Sequence, residues 1–175
     1  MPSNYCLGPG TEVNSHKELL LNQMQFIREK TINLVAGLSI AELDYEFDQF
    51  ANTIGTLLLH IGSLEYFTLR NVFPGIPFLH SEAIIWAKAF GQQMSKKLVY
   101  GDSVAFYLDS IAGIRQTTIE RLSVKNDEWL FESRWEKDDI MYNYYYKFFH
   151  LIEDEISHCG QIKIIKKRIL QLPKT

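Results

Sequence analysis

Three ionisable residues stand where the apolar pattern of two predicted helices calls for leucine or isoleucine. His60 interrupts one apolar stripe, and Asp154 and His158 interrupt another. Asp154 and His158 are four residues apart, so their side chains leave the same helix face about one turn from each other. Buried charges persist when they are paired or bound to a metal, and two imidazoles with a carboxylate are a common donor set for a divalent ion. One interpretation of the pattern is therefore a metal site at His60, Asp154 and His158.

A purely structural interpretation fits the same residues. A histidine on an apolar helix face is more often a hydrogen-bonded core residue than a metal ligand. Asp154 and His158 also have the spacing of an ion pair within one helix. Spacing alone leaves both interpretations open.

Four long segments with helical periodicity must position these residues. They cover residues 13–36, 53–70, 103–122 and 140–170, the second beginning after Asn52 or Thr53 as N-cap and the third after Asp102 or Ser103. Ser39 opens a short helical turn with Glu42 as its capping-box partner. Segment 82–97 is either a further helix or an irregular insertion, and 123–139 is a connection that includes a short extended piece. No internal repeat is visible.

These elements predict an all-α fold, an antiparallel four-helix bundle with short extra helices in the connections. The loop lengths suit an up-down-up-down order, with one long crossover as the alternative topology. A looser all-α fold, with segment 82–97 packed as a fifth helix, is the second possibility.

Composition narrows the class of protein. The 175 residues fit one domain, 1–175, with 1–12 as a flexible tail. The net charge of −3 argues against a nucleic-acid partner, because phosphate recognition usually brings a basic excess. No apolar run is long enough to span a membrane, and no signal peptide is recognisable. Two cysteines do not make a disulfide scaffold, which favours a cytoplasmic location.

Two segments resemble motifs of the DinB-like (DNA-damage-inducible) metal-binding superfamily, which also contains mycothiol-dependent maleylpyruvate isomerase. Residues 150–162, HLIEDEISHCGQI, are similar to its last-helix signature, a ligand, three residues, and a histidine followed closely by Gly-Gln or Gly-His. Residues 53–65, TIGTLLLHIGSLE, are similar to its second-helix motif, an apolar run into a histidine with an acid five residues on. Residues 38–43, LSIAEL, resemble its pattern between the first two helices.

This resemblance implies a four-helix bundle, usually a homodimer, in which three ligands hold one divalent metal and leave coordination positions open. Carried over by position, the ligands are His60, Asp154 and His158. Many members have histidine at the position of Asp154, and the isomerase branch has glutamate. Aspartate is one methylene shorter than glutamate, which bears on the identity and retention of the metal. We expect zinc or nickel first, with iron or manganese as alternatives.

Two hypotheses about function follow. Characterised relatives are implied to be transferases or isomerases that use low-molecular-weight thiols. The first hypothesis is therefore a metal-dependent enzyme that acts through a metal-bound thiolate or hydroxide. The second is a non-enzymatic dimeric bundle that binds a metal or small molecule as a stress-related accessory protein. Iron oxygenation by a two-histidine, one-carboxylate site is a lesser alternative. The sequence does not contain the two Glu-x-x-His motifs that di-iron bundles need.

Other ionisable residues near the two motifs are not expected to be metal ligands. Glu65 lies about 140° around the helix from His60, and is expected to contact a neighbouring helix or a partner subunit. Glu153, Glu155 and His150 are expected to be solvated or packing residues, although His150 can line a pocket.

Cys159 is expected to be a small packing residue, and Cys6 to be exposed and unrelated to the site. The aromatic run 142–150 indicates an oligomer interface, a pocket mouth or core packing. The basic residues near the end of the last helix suit its dipole better than they indicate a nucleic-acid site: Lys163, Lys166, Lys167 and Arg168.

Overall fold

The computed structural model describes residues 15–48, 51–76, 80–89, 99–135 and 141–172. Within these ranges the chain is predominantly helical, as predicted, with seven helices and one antiparallel pair of strands. The elements in chain order are α1 (His16–Val35), α2 (Ile40–Leu43), α3 (Ile54–Val72), α4 (His80–Ala87), α5 (Val104–Ser123), α6 (Asp127–Phe131), β1 (Ser133–Trp135), β2 (Met141–Asn143) and α7 (Tyr144–Ile169). The predicted tail 1–12 and residues 90–97 of segment 82–97 lie outside the described residues.

Each long helix begins at a polar residue whose side chain accepts a backbone N–H three residues further on. Such N-caps satisfy one of the amide groups that a helix start leaves without a partner. The caps of α1, α3, α5 and α7 are Ser15, Thr53, Ser103 and Asn143. The predicted capping box of Ser39 and Glu42 is confirmed at the start of α2.

The start of the last helix was predicted wrongly. It begins at Tyr144 rather than near residue 140, because Asn143 is extended and caps it. The preceding residues 141–143 form β2 instead, and Arg134 of β1 pairs with Tyr142. The expected extended piece in the connection 123–139 is present as β1, but the connection also contains the helix α6.

The four long helices pack so that α7 lies between α1 and α3, and α3 lies between α7 and α5. Between α1 and α7, residues further along one helix contact residues further along the other: Arg28 contacts Glu155, and Thr31 contacts Cys159. These two helices therefore run parallel to each other.

The same holds for α3 and α5. Gly55 faces Tyr107, and ten residues later Glu65 binds Arg115. A simple up-down-up-down order would have made α3 and α5 antiparallel, so that expectation is wrong. Parallel neighbours need a connection that returns the chain to its starting end, and the long segment between α3 and α5, with α4 inside it, provides one.

Helix α3 is at the centre of this arrangement. Its consecutive residues Leu57, Leu58 and Leu59 are all buried, so the helix is covered on several sides. Helix α4 lies over it, with Trp86 in the hydrophobic core. The sequence left open whether segment 82–97 is helical. The packing of α4 places Ala89 of this segment directly beside His60. Among the described helices, none is long and apolar enough to cross a membrane.

Candidate metal centre

The fold brings together the three residues that interrupt the apolar stripes. His60 comes from α3, and Asp154 and His158 come from α7. Oδ2 of Asp154 lies 3.3 Å from Nε2 of His158 and 3.7 Å from Nε2 of His60. The two imidazole rings are 4.9 Å apart and almost perpendicular, at 79°. One ligand-type atom from each residue lies within 4.8 Å of the others, a span that a single cation can bridge.

The polar atoms of this cluster are buried and only partly satisfied. The side chains of His60, Asp154 and His158 are 15%, 20% and 10% exposed. Among the described residues, Oδ2 of Asp154 and both ring nitrogens of His158 have no hydrogen-bond partner. Each such buried group costs about 1–3 kcal/mol. A cation between them would satisfy the carboxylate and one nitrogen of His158, so the residues fit a divalent metal in both chemistry and spacing.

A backbone carbonyl orients the His60 ring. Nδ1 of His60 lies 2.7 Å from the carbonyl oxygen of Ala89. When Nδ1–H donates to this oxygen, the lone pair of Nε2 faces Asp154. Metal-binding histidines commonly donate their second ring nitrogen in this way, which fixes the tautomer and the ring plane.

Two small residues that follow His60 leave room for α4, which precedes Ala89, to pack closely against α3. A Cβ atom on Gly62 would lie 2.3 Å from the Trp86 ring, so only glycine fits there. The hydroxyl of Ser63 donates to the Trp86 carbonyl over 2.7 Å. Sequence reasoning missed this support for His60. The available signal was the pair of small residues, Gly62 and Ser63, in an otherwise large and apolar helix.

The charges of the cluster are coupled. Burial by itself raises the pKa of Asp154, but the neighbouring His158 and His60 lower it more, so its pKa falls well below the usual range. Burial lowers the pKa of His60, but Asp154 and the Ala89 carbonyl raise it more, so the net shift is upward. Asp154 is therefore an anionic carboxylate at neutral pH, as a ligand for a cation must be.

The glutamates near the three candidate ligands differ in burial and in their partners. Glu65 lies outside the cluster and binds Arg28 and Arg115, so the expected contact with a neighbouring helix is confirmed. Glu155 is also buried and binds Arg28, so it is an ion-pair partner rather than a solvated or simple packing residue. Glu153 is exposed, as expected.

His150 and Cys159 are not part of the cluster. His150 is half-exposed and lies 3.3 Å from Glu153. Cys159 is buried, and its sulfur lies 3.2 Å from the Thr31 hydroxyl. Burial raises the pKa of the Cys159 thiol, which makes it a poor nucleophile. These observations agree with the packing role expected of Cys159, while Cys6 lies outside the described residues.

The aromatic and basic residues of α7 divide between core and surface. Phe148 is fully buried, whereas Tyr146 and Phe149 are 50% and 43% exposed. Three of the four basic residues, Lys166, Lys167 and Arg168, lie in the last turn. There Lys166 donates to the carbonyl of Leu34 at the end of α1.

Comparisons with known proteins identify the family of the chain and a similar fold. A family model described as mycothiol-S-transferase matches residues 19–171. This match covers most of the chain, and the chain therefore belongs to the mycothiol S-transferase family, a DinB-like family. No curated protein matches the chain.

A solved structure is similar in fold. It is the crystal structure of a conserved protein from Enterococcus faecalis, with a TM-score of 0.74 and 14% sequence identity. The alignment covers 90% of this chain and 99% of the other. At this identity the likeness concerns the fold alone.

Proposed function

We propose that this protein is a divalent-metal-dependent thiol S-transferase whose metal ligands are His60, Asp154 and His158. The observation that carries the proposal is the buried cluster itself, in which three ligand-type atoms converge and polar atoms of Asp154 and His158 are left unsatisfied. Membership of the mycothiol S-transferase family supplies the reaction class. The substrates are a low-molecular-weight thiol and an electrophile.

We further propose that residues 1–175 are a single domain and that its four long helices form a four-helix bundle. This architecture suits a metal-dependent enzyme. Helices α3 and α7 contribute the ligands from facing sides, in the manner of metal sites built inside bundles. Three protein ligands leave positions open for a substrate, which distinguishes catalytic from structural zinc sites.

Each residue has a separate task. Asp154 contributes the negative charge that attracts a cation, and its lowered pKa keeps that charge in place at neutral pH. His60 presents Nε2 while the Ala89 carbonyl holds Nδ1–H. His158 adds a second nitrogen donor. A divalent ion held by these three residues, zinc or nickel before iron or manganese, would lower the pKa of a thiol bound there and so favour its thiolate near neutral pH.

The transfer reaction tests the proposal. Zinc-loaded protein is incubated with mycothiol, glutathione or cysteine and with 1-chloro-2,4-dinitrobenzene as the electrophile. In this reaction a carbon–sulfur bond forms, the carbon–chlorine bond breaks, and chloride and the thiol proton leave to solvent. We expect the wild type to accelerate adduct formation with at least one thiol. In Asp154→Asn the rate should be at least tenfold lower. His150→Ala, on the same helix and outside the cluster, should keep it.

A non-enzymatic metal- or small-molecule-binding bundle is the second candidate. The burial of the three side chains favours it, because a substrate must reach the metal in order to react. It becomes the better account if zinc-loaded protein accelerates transfer with none of the thiols. A homodimer, a cytoplasmic location and the lack of a nucleic-acid partner stay predictions under either function. The exposed Phe149 and Ile156 on α7 offer apolar surface for a second copy of the chain.

A further inference from the structure

Each long helix contributes one charged residue to a second buried cluster, beside the candidate metal centre. We name it the charge cluster, and it consists of Arg28 from α1, Glu65 from α3, Arg115 from α5 and Glu155 from α7. No side chain in it is more than 5% exposed. Its two positive and two negative charges cancel. The proposed metal chemistry does not use any of these residues.

The contacts in the charge cluster are reciprocal. Oε1 of Glu155 accepts from Arg28 and from Thr31, and Oε1 of Glu65 accepts in the same way from Arg115 and from Thr118. Each arginine also donates to a backbone carbonyl of the other arginine's helix, Arg28 to Ile111 and Arg115 to Met24.

This reciprocity has a counterpart in the sequence. Residues 27–31 and 114–118 share the pattern Ile-Arg-x-x-Thr, and residues 60–65 and 150–155 share His-x-x-x-x-Glu. Exchanging α1 with α5 and α3 with α7 therefore reproduces the contacts of the cluster. This repeat is not apparent from the sequence alone, because the matching segments are short and each pair is separated by about half of the chain.

The arginines tie the two ligand-bearing helices together. Nη2 of Arg28 lies 2.9 Å from Glu65 and 3.2 Å from Glu155. Nη2 of Arg115 lies 3.1 Å from Glu65 and 3.3 Å from Glu155. Each guanidinium therefore bridges α3 and α7, and a slide of either helix by one residue would break these forked contacts.

The bridged positions are next to the candidate ligands. Glu155 follows Asp154 directly, and Glu65 lies five residues after His60 on the same helix. A shift of α3 relative to α7 would therefore change the separation of His60 from Asp154 and His158. Burying four charges is a weak way to gain stability compared with apolar packing, whereas buried polar groups fix the register of packed helices in some proteins.

We infer that the charge cluster is a positioning device for the metal centre: Arg28 and Arg115 hold α3 and α7 in the one register that brings His60 to Asp154 and His158. The inference rests on the proposed function, because it assigns the cluster to the same site. Arg28 and Arg115 act through the carboxylates of Glu65 and Glu155 and do not touch the metal.

Charge-preserving variants separate positioning from electrostatics. Arg28→Lys and Arg115→Lys keep the charge but lose the fork that reaches two carboxylates and a carbonyl. Arg121→Lys, on the exposed side of α5, is the matched control. Cobalt(II) is the probe, because titration gives its affinity and its visible absorption reports the geometry of the ligands. We expect affinity to fall about tenfold in both cluster variants, with an altered spectrum, and no change in Arg121→Lys.

The outcomes are distinct. Cluster variants that bind cobalt(II) with the affinity and spectrum of the wild type overturn the inference and leave the proposed function standing. A wild type that binds no cobalt(II) overturns the proposed function, and the inference falls with it. If the lysine variants do not fold, Thr31→Val and Thr118→Val decide by the same criteria. Thr117→Val is the control, since the Thr117 hydroxyl donates to the Gly113 carbonyl of its own helix.

Discussion

Nδ1 of His60 lies 2.7 Å from the carbonyl oxygen of Ala89, a residue just beyond the end of α4. This hydrogen bond makes α4 and Ala89 part of the candidate metal centre rather than a peripheral insertion. A carbonyl acceptor on Nδ1 leaves Nε2 as the free nitrogen, and Nε2 is the atom that faces Asp154. The orientation of His60 therefore depends on how α4 packs over α3.

Adding a single methyl group at Gly62 should destabilise the fold. Gly62→Ala places a Cβ atom 2.3 Å from the Trp86 ring, so α4 must shift away from α3. We expect the free energy of unfolding in urea to fall by about 1–3 kcal/mol. Gly113→Ala is the matched control, because a Cβ atom there meets nothing within 4 Å. That variant should gain up to about 1 kcal/mol from helix propensity. Equal stability of the two variants would contradict the account of α4.

The sequence predicted the parts of the fold that depend on local chemistry. Helical periodicity located the long helices, and Thr53 and Ser103 were recognised as possible caps because capping needs only a polar side chain before an apolar run. The meeting of His60 with Asp154 and His158 was predicted because all three interrupt stripes that must face the core and occupy the ligand positions of motifs that resemble the DinB-like superfamily. In each case the signal lies within one helix.

The rest depends on which helices become neighbours. Arg28 and Glu155 are far apart in the chain, and nothing in the local pattern indicates that α1 runs parallel to α7. The Ala89 carbonyl was not predicted because a backbone acceptor has no side-chain signature. Strand β2 was not predicted, since its residues 141–143 were assigned to the start of the last helix. In the preceding connection only a short extended piece was expected, because β1 is exposed along its length and shows no alternation.

Acid should remove the contribution of Glu65 to stability. Burial raises the pKa of Glu65, but Arg115 and Arg28 lower it more, to about 2 from its usual 4.5. A lowered pKa in the folded state contributes stability above pH 4.5, which is lost as the pH falls from there toward 2. The contribution is on the order of 3 kcal/mol. Urea unfolding of the wild type and Glu65→Gln between pH 3 and 7 measures it.

We expect the gap between the wild type and Glu65→Gln to be widest near neutral pH and to narrow in acid. Glu153→Gln, on the exposed side of α7, should stay close to the wild type at every pH. A gap that does not change with pH would mean that the ionised carboxylate of Glu65 is not what the arginines stabilise.

Cys159 should be unreactive and dispensable for metal binding. Burial raises the pKa of its thiol, and its sulfur lies beside the Thr31 hydroxyl. In a Cys6→Ser background, iodoacetamide should modify the native protein far more slowly than the urea-unfolded protein. Cys159→Ala should bind zinc as the wild type does. Rapid alkylation that zinc suppresses would instead place Cys159 among the ligands.

The most direct test of the metal centre is the metal content of protein purified without chelators or a metal-affinity column. Elemental mass spectrometry is applied to the wild type, to His158→Ala and to the control His150→Ala. We expect near one equivalent of a divalent metal in the wild type and in His150→Ala, and near none in His158→Ala, because His158 lies in the cluster and His150 is half-exposed outside it. If all three proteins are equally empty, and stay so after zinc, nickel, iron and manganese are offered, then His60, Asp154 and His158 are a buried polar cluster and not a metal site.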